Sequence, residues 1–250
     1  IGISNMPREL QSVVSVLIAL LSRVRSAFIR EQRFTDSAAH ELRTPIAAIH
    51  IHLQNAESAT RPEDVKESIA QALEASRRAK KLAEQLLVYS RVSSSVGLED
   101  KNKLDLSAVC QQVISMMGPI LAQRQQQVES INPGPITILG ERTKIESLIQ
   151  NLVENASLYG VSPGVIAVRV TRQNRHVVLS VENDGTAIPD EEKSKVFIPY
   201  YRTPGSKFSG TGLGLAIVQE IANQHGAQVQ IEDRAPGTGG RVKVTFQIND

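Results

Sequence analysis

The stretch SAAHELRTPIAAIH, residues 37–50, sets an ionisable cluster into a helical pattern. Ala38, Leu42, Ile46 and Ile49 recur at steps of three and four, continuing through Leu53 and Ala56, as on one apolar helix face. At about 100° per residue, His40 lies about 180° from the centre of that face. Such a histidine is turned away from the helix's own core. Thr44 stands one turn on and beside it, and Glu41 is adjacent in sequence. Pro45 has no N–H and crowds the carbonyl of Glu41, so the helix is expected to bend or loosen there. His50 and His52 do not pair with His40 at i,i+4, and there is no HExxH. The stretch alone admits two readings: a surface histidine beside an ordinary kink, or an imidazole placed for chemistry.

Moving outward, the same period covers residues 9–92, broken only by SATRPED, residues 58–64. Two long amphipathic helices with a short connection make an antiparallel hairpin. One hairpin buries one side of each helix. Two hairpins together make a four-helix bundle, so a homodimer is expected. The apolar content of 41% over 250 residues allows one large domain or two ordinary ones. The 28 Lys and Arg nearly balance the 26 Asp and Glu, which argues against direct nucleic-acid binding. A lone Cys110 in an apolar run gives neither a disulfide framework nor a cysteine metal cluster. The most apolar stretch, VVSVLIALL at 13–21, is too short to span a bilayer. The chain begins at Ile1, consistent with a fragment whose upstream part, a membrane segment included, lies outside it.

SRVSSSVGLEDKNK, residues 90–103, is a linker by composition, and the period then changes. KLDLS is a short strand, and residues 107 to about 125 are helical. VESI and ITIL are short strands around the turn NPGP, and residues 142–159 are helical again. Residues 164–184 alternate as a hairpin, 212–225 form a helix, and AQVQIED and GRVKVTFQI are the final strands. The order predicts an α/β sandwich, with helices on one side of a mixed sheet, rather than a doubly wound dinucleotide fold.

Three motifs of this half carry chemistry. In NLVENASLYG, Asn151 and Asn155 lie at i,i+4, off the core stripe of their helix. Two carboxamide oxygens one turn apart suit a hydrated Mg2+, and asparagine is otherwise a poor mid-helix residue. In VENDGTAIP, Asp184 ends a strand, with Gly185 for a tight turn, and can accept from an exocyclic amine such as adenine's. In SGTGLGLAIV, Gly210, Gly212 and Gly214, with Thr211 and Leu213 between them, bring backbone N–H groups to the start of a helix, where phosphate binds. The preceding YYRTPGSKFSG reads as a flap, with Arg202 and Lys207 within reach of phosphates or simply solvated. Together these predict an ATP site. A histidine near the γ-phosphate can act as nucleophile, with Glu41 accepting the other ring proton.

In sum the chain resembles the cytoplasmic core of a bacterial two-component sensor histidine kinase, over residues 28–248. FTDSAAHELRTPIAAI resembles the family's H-box and NLVENASLYG its N-box. VENDGTAIP and GTGLGLAIV resemble its two glycine boxes, and KVFIPYYR its phenylalanine box. Residues 6–28 resemble the second helix of a HAMP signalling domain. The resemblance implies a Bergerat-type ATP-binding fold after a dimeric helical bundle. Its boundaries would be a HAMP-like helix at 1–29, a dimerisation and phosphotransfer domain at 30–92, a linker at 93–103 and an ATP domain at 104–250. It implies that His40 is autophosphorylated, Glu41 is its base, and Thr44 orients water in the reverse reaction. Asn155, helped by Asn151, would hold Mg2+, Tyr159 would line the nucleotide site, and Asp184 with Gly185 would read adenine. Gly210, Thr211, Gly212, Leu213 and Gly214 would border the lid and the phosphates. The phosphoryl group would pass to an aspartate of a response regulator receiver domain. The full-length protein would be anchored in the bacterial inner membrane with this portion in the cytoplasm.

Three positions depart from the family's pattern. Leu158 stands where Lys or Arg is usual, Thr186-Ala187 where a second glycine is usual, and the lid at about 200–210 is short. Two rivals follow: a catalytically silent dimeric signalling module, and an ATPase of the related chaperone and topoisomerase superfamily. The second leaves the hairpin and His40 without a purpose.

Overall fold

The computed structural model describes residues 8–94, 101–131, 134–204, 210–235 and 238–248. The chain divides into two compact units, residues 1–81 and 82–250.

The first unit contains α1 (Arg8–Ser58) and most of α2 (Pro62–Ser94). The break falls where the proline was expected to put it. Pro62 opens α2, where a missing N–H costs nothing, and Glu63 and Asp64 favour its N-terminal dipole. Arg61 clamps Asp64 with two hydrogen bonds of 2.7 and 2.9 Å. α1 runs through Pro45 as unbroken helix. What the proline removes is the one N–H that would reach the Glu41 carbonyl. Ala72 and Ala75 of α2 are buried, whereas Ile46 and Leu53 of α1 and Ile69 and Leu73 of α2 are about half exposed.

The second unit is the expected sandwich. Strand β1 (Asn102–Asp105) leads into α3 (Leu106–Gln123), capped by the Asp105 carboxylate on the Ser107 N–H at 3.0 Å. β2 (Gln126–Ile131), β3 (Thr137–Gly140), α4 (Arg142–Tyr159), β4 (Gly164–Gln173) and β5 (His176–Thr186) follow. A short α5 (Asp190–Lys193) and a 3-10 turn at Lys195–Phe197 precede α6 (Gly214–Gln224), β6 (Gln228–Ala235) and β7 (Thr238–Gln247). The main sheet has the order β2-β4-β5-β7-β6, parallel only between β2 and β4. Its inner face, with Val168, Val170, Leu179, Val181 and Val244, is closed by Leu148, Ile149, Leu152, Ile217 and Ile221 of α4 and α6. The outer face is polar, centred on Glu182, whose side chain is 4% exposed. Burial pushes the Glu182 carboxyl up, but hydrogen bonds from Arg241 (2.9 Å) and Arg169 outweigh that and hold it below the usual carboxylate range.

Two strands pair differently from their sequence neighbourhood. β2 and β3 are consecutive in the chain, yet β3 pairs antiparallel with β1, and β2 lies parallel to β4. Leu104 opposite Ile138, both buried, gives the small sheet its own apolar face. Such long-range pairing is invisible to local periodicity.

His225, just past α6, ties the end of that helix to the start of α4. Its Nδ1 donates to the Ile221 carbonyl (2.7 Å) and its Nε2 accepts from the Glu141 N–H (3.2 Å), which requires the neutral ring. Burial lowers its pKa, with the Lys101 and Lys144 charges adding to that. The unfolded chain therefore binds the proton first. The stability it contributes is complete above the ordinary value of 6.5 and falls away as the pH drops toward the lowered folded value. In urea titrations across pH 7 to 5, His225→Gln is expected to show a flatter acid limb than the wild type. At pH 7 it is expected to lose about 1 kcal/mol with the Glu141 hydrogen bond.

Candidate active site

His40 is exposed on α1, on the side the wheel assigned to it, and Thr44 is exposed one turn on. The Thr44 hydroxyl donates to the His40 carbonyl at 3.4 Å. Glu41 is half-buried.

In the second unit α4 is the axis of the site. Asn151 is buried at 8% exposure rather than on the surface. Its Nδ2 donates to the Ser147 carbonyl (2.8 Å), and its Oδ1 lies 3.4 Å from where a Cβ at Gly214 would stand. The amide nitrogen is thus spent on the helix, and the oxygen is aimed at the first residue of α6. Asn155 follows one turn later, half-buried. An oxygen donor beside a helix N-terminus fits a Mg2+-bound phosphate, since carboxamide oxygens suit the metal and backbone N–H groups suit the anion.

The end of α4 meets the end of β5. A Cβ on Gly185 would sit 1.8 Å from the Tyr159 carbonyl oxygen, so only glycine passes. Asn183, buried, holds this point. With its carboxamide oriented to satisfy both neighbours, the nitrogen donates to the Gly240 carbonyl (3.1 Å) and the oxygen accepts from the Gly185 N–H (3.2 Å). The β5–β7 register shifts between Asn183 and Thr186, so the strand bulges here before Thr186 pairs with Thr238. Asp184 is half-buried, with Oδ1 accepting from the Val161 N–H (3.2 Å) and Oδ2 from the Val165 N–H (3.0 Å). Each oxygen keeps a further acceptor position for a ligand N–H.

The glycine box closes the arrangement. Gly212 has φ +71°, and a Cβ there would stand 2.7–2.9 Å from the Tyr200 backbone. The Tyr200 N–H donates to the Gly212 carbonyl (2.9 Å). Leu213 is fully buried, so its side chain is an anchor rather than a ligand contact, which narrows the expected nucleotide set. Its N–H donates to Thr211 Oγ1 at 3.3 Å. A Cβ at Gly210 would be 3.1 Å from Leu158 Cδ2 and 3.6 Å from the Tyr159 hydroxyl, so both residues face the end of the lid segment. Arg202 is exposed, and Lys207 lies outside the described residues. Tyr201 donates its hydroxyl to Glu192, which also pairs with Lys195 at 3.0 Å, fixing the start of that segment. Asn183 escaped the sequence reading, although its place inside VENDG was the available signal.

A hairpin with a solvent-facing histidine, followed by a sandwich bringing asparagine, aspartate and glycine motifs together, defines a histidine-phosphotransfer and ATP-binding class. Residues 30–95 match the His Kinase A (phospho-acceptor) domain, and residues 140–250 match the Histidine kinase-, DNA gyrase B-, and HSP90-like ATPase family. Sensor protein BasS of Escherichia coli is 30% identical over 259 residues, covering 99% of this chain and 67% of BasS. Sensor protein kinase PmrB of Pseudomonas aeruginosa is 31% identical over 248 residues, covering 98% of this chain and 51% of PmrB. The chain thus spans about half the length of PmrB. Histidine kinase ThkA, solved in complex with response regulator protein TrrA, shares the fold, with a TM-score of 0.70 at 22% identity over 91% of this chain and 64% of that one. The chain belongs to the bacterial sensor histidine kinases. No helix among the described residues is long and apolar enough to cross a membrane.

The close approach at Gly185 can be tested directly. Gly185→Ala is expected to destabilise the protein by about 1–3 kcal/mol through overpacking against backbone, and to weaken nucleotide binding. Gly210→Ala meets the flexible end of Leu158 and, at ordinary contact distance, the Tyr159 hydroxyl, and is expected to melt near the wild type. Thermal denaturation with a fluorescent ATP analogue as titrant reads both.

Proposed function

We propose that this chain is the kinase core of a membrane-anchored sensor: it phosphorylates His40 from Mg-ATP and passes the phosphoryl group to an aspartate of a response regulator. The observation that carries the reading is the convergence on α4 of Asn151, Asp184 and the Gly210–Gly214 box, in a chain that also bears an exposed His40. An imidazole nitrogen of His40 attacks the γ-phosphorus as the bond to the bridging oxygen breaks and ADP leaves. Glu41 takes the proton from the other ring nitrogen. Asn155 and Asn151 would hold Mg2+, which would supply neutralisation of phosphoryl charge. Tyr159 lines the nucleotide, Asp184 accepts from the adenine amine, and Arg202 and Lys207 contribute charge to phosphate binding. Thr44 orients water when the same chain removes phosphate from its regulator.

The half-exposed Ile46, Leu53, Ile69 and Leu73 support a homodimer closing a four-helix bundle. The domain limits follow as a HAMP-like helix at 1–29, a phosphotransfer domain at 30–92, a linker at 93–103 and the ATP domain at 104–250. The membrane anchor lies upstream of Ile1. A silent signalling module is the second reading, favoured by Leu158, whose side chain meets the lid end where the family pattern has a cation.

With ATP labelled in the γ-phosphate, the wild type is expected to take up acid-labile, alkali-stable label, and His40→Gln none. Asn155→Ala is expected to slow labelling at least as much as loss of an outer-shell partner does, about 10- to 100-fold. A wild type that binds Mg-ATP yet takes up no label would sustain the silent module instead.

A further inference from the structure

Gln126 opens β2 and is 6% exposed, so its carboxamide must find partners inside the protein. It finds three. Nε2 donates to the carbonyls of Ser157 and Val161, both at 3.0 Å, and Oε1 accepts from Ser157 Oγ at 2.6 Å. Ser157 lies in the last turn of α4, where carbonyls lack helical donors, and its carbonyl also receives Arg124 Nη1 at 3.0 Å. Val161 is the residue whose N–H meets Asp184 Oδ1. Gln126 therefore grips the carbonyl of Val161 while Asp184 grips its N–H.

The other end of the same turn is held in parallel. The Gly164 N–H donates to the Gln125 carbonyl at 3.4 Å, and the next N–H, that of Val165, goes to Asp184 Oδ2. A Cβ on Gly164 would lie 2.5 Å from the Val161 carbonyl and 3.0 Å from Asp184 Oδ1, so the turn and the carboxylate are in close contact. The two N–H groups that orient the Asp184 carboxylate thus belong to a turn tied to the start of β2 by the buried Gln126, by the Gly164–Gln125 hydrogen bond and by the Ser162 hydroxyl, which donates to the Arg124 carbonyl.

We infer that Gln126 is a positioning residue for base recognition: by holding the 157–165 segment it aims the Asp184 carboxylate at the 6-amino group of a purine nucleotide. This rests on the proposed role of Asp184 as the adenine acceptor. A carboxylate aimed by fixed donors favours an amino group at purine position 6 and disfavours a 6-oxo group, which offers only an acceptor. If the turn can drift, the carboxylate can turn away, and the discrimination fades while phosphate contacts persist.

The test uses the 250-residue chain and calorimetric affinities for Mg-ATP and Mg-ITP, the inosine nucleotide carrying the 6-oxo group. Gln126→Met keeps the volume and removes all three hydrogen bonds. It is expected to narrow the ATP-to-ITP affinity ratio about tenfold, the loss typical of a hydrogen bond to a charged group. Hydrogen exchange of the Val161 and Val165 amides, without nucleotide, is expected to quicken while that of Leu152 does not. Ser157→Ala, which keeps both Gln126 donor bonds, is expected to move both readouts the same way by less, and it decides the matter should Gln126→Met fail to fold. Equal losses for ATP and ITP, or an unchanged ratio, would overturn the inference and leave Gln126 a structural staple. Asp184→Ala separates the two ideas. If it abolishes discrimination while the Gln126 and Ser157 variants keep it, the positioning role fails alone. If it leaves discrimination intact, the reading of Asp184 falls and takes this inference with it.

Discussion

The Tyr159 carbonyl oxygen stands 1.8 Å from where a side chain at residue 185 would begin. That single close approach fixes the end of α4 against the end of β5, and the rest of the site depends on it. Asn155 and Asn151 lie one and two turns back along α4 from Tyr159, and Asp184 is one residue before Gly185. Once the two ends touch, the distance between the metal-type carboxamides and the base-type carboxylate is set by rigid elements rather than by loops. Asn183 secures the contact from behind by bonding Gly185 and Gly240 at once. Any movement of the contact would have to unseat β7 as well.

Two carboxylates, two residues apart on β5, show how environment divides one chemical group into two uses. Glu182 is nearly buried and held by Arg169 and Arg241, so its charge is consumed within the sheet's outer face. The described hydrogen bonds to the Asp184 carboxylate are neutral backbone N–H groups, from Val161 and Val165. Neutral donors fix direction without saturating a carboxylate, since each oxygen retains acceptor capacity. A cation in their place would compete with a ligand's uncharged amine. On this argument the Glu182 charge is spent within the sheet, whereas Asp184 keeps acceptor positions open.

Much of this was legible in the sequence because it is local. The 3.6-residue period of 142–159 gave α4 to the residue, and glycines ahead of an apolar helix gave the start of α6 within two residues. The polar turn between two alternating runs gave β4 and β5. What escaped is long-range. β3 pairs with β1 and β2 with β4, and nothing in ITIL or VESI names those partners. Asn151 was placed off the core stripe, yet it is buried because α6 covers it, a fact of packing rather than of periodicity. Leu213 sits inside the glycine box as if to meet a ligand, but it is a core residue that anchors the loop. Gln126 lies in the run QRQQQ, where no pattern distinguishes one glutamine from another, and only the fold singles it out as buried.

Leu158 shows how a departure from a family's pattern can leave a site's shape intact while changing its charge. Its Cδ2 is 3.1 Å from the Cβ position of Gly210, so the side chain lies against the backbone at the end of the lid. A lysine there would have to leave that contact to reach a phosphate, because an ammonium pressed on an apolar neighbour forfeits its hydration. Leucine instead joins α4 to the lid end by dispersion and burial, attractions that do not fall off with salt. At this end of the site the groups suited to an anion are then the backbone N–H groups at the start of α6.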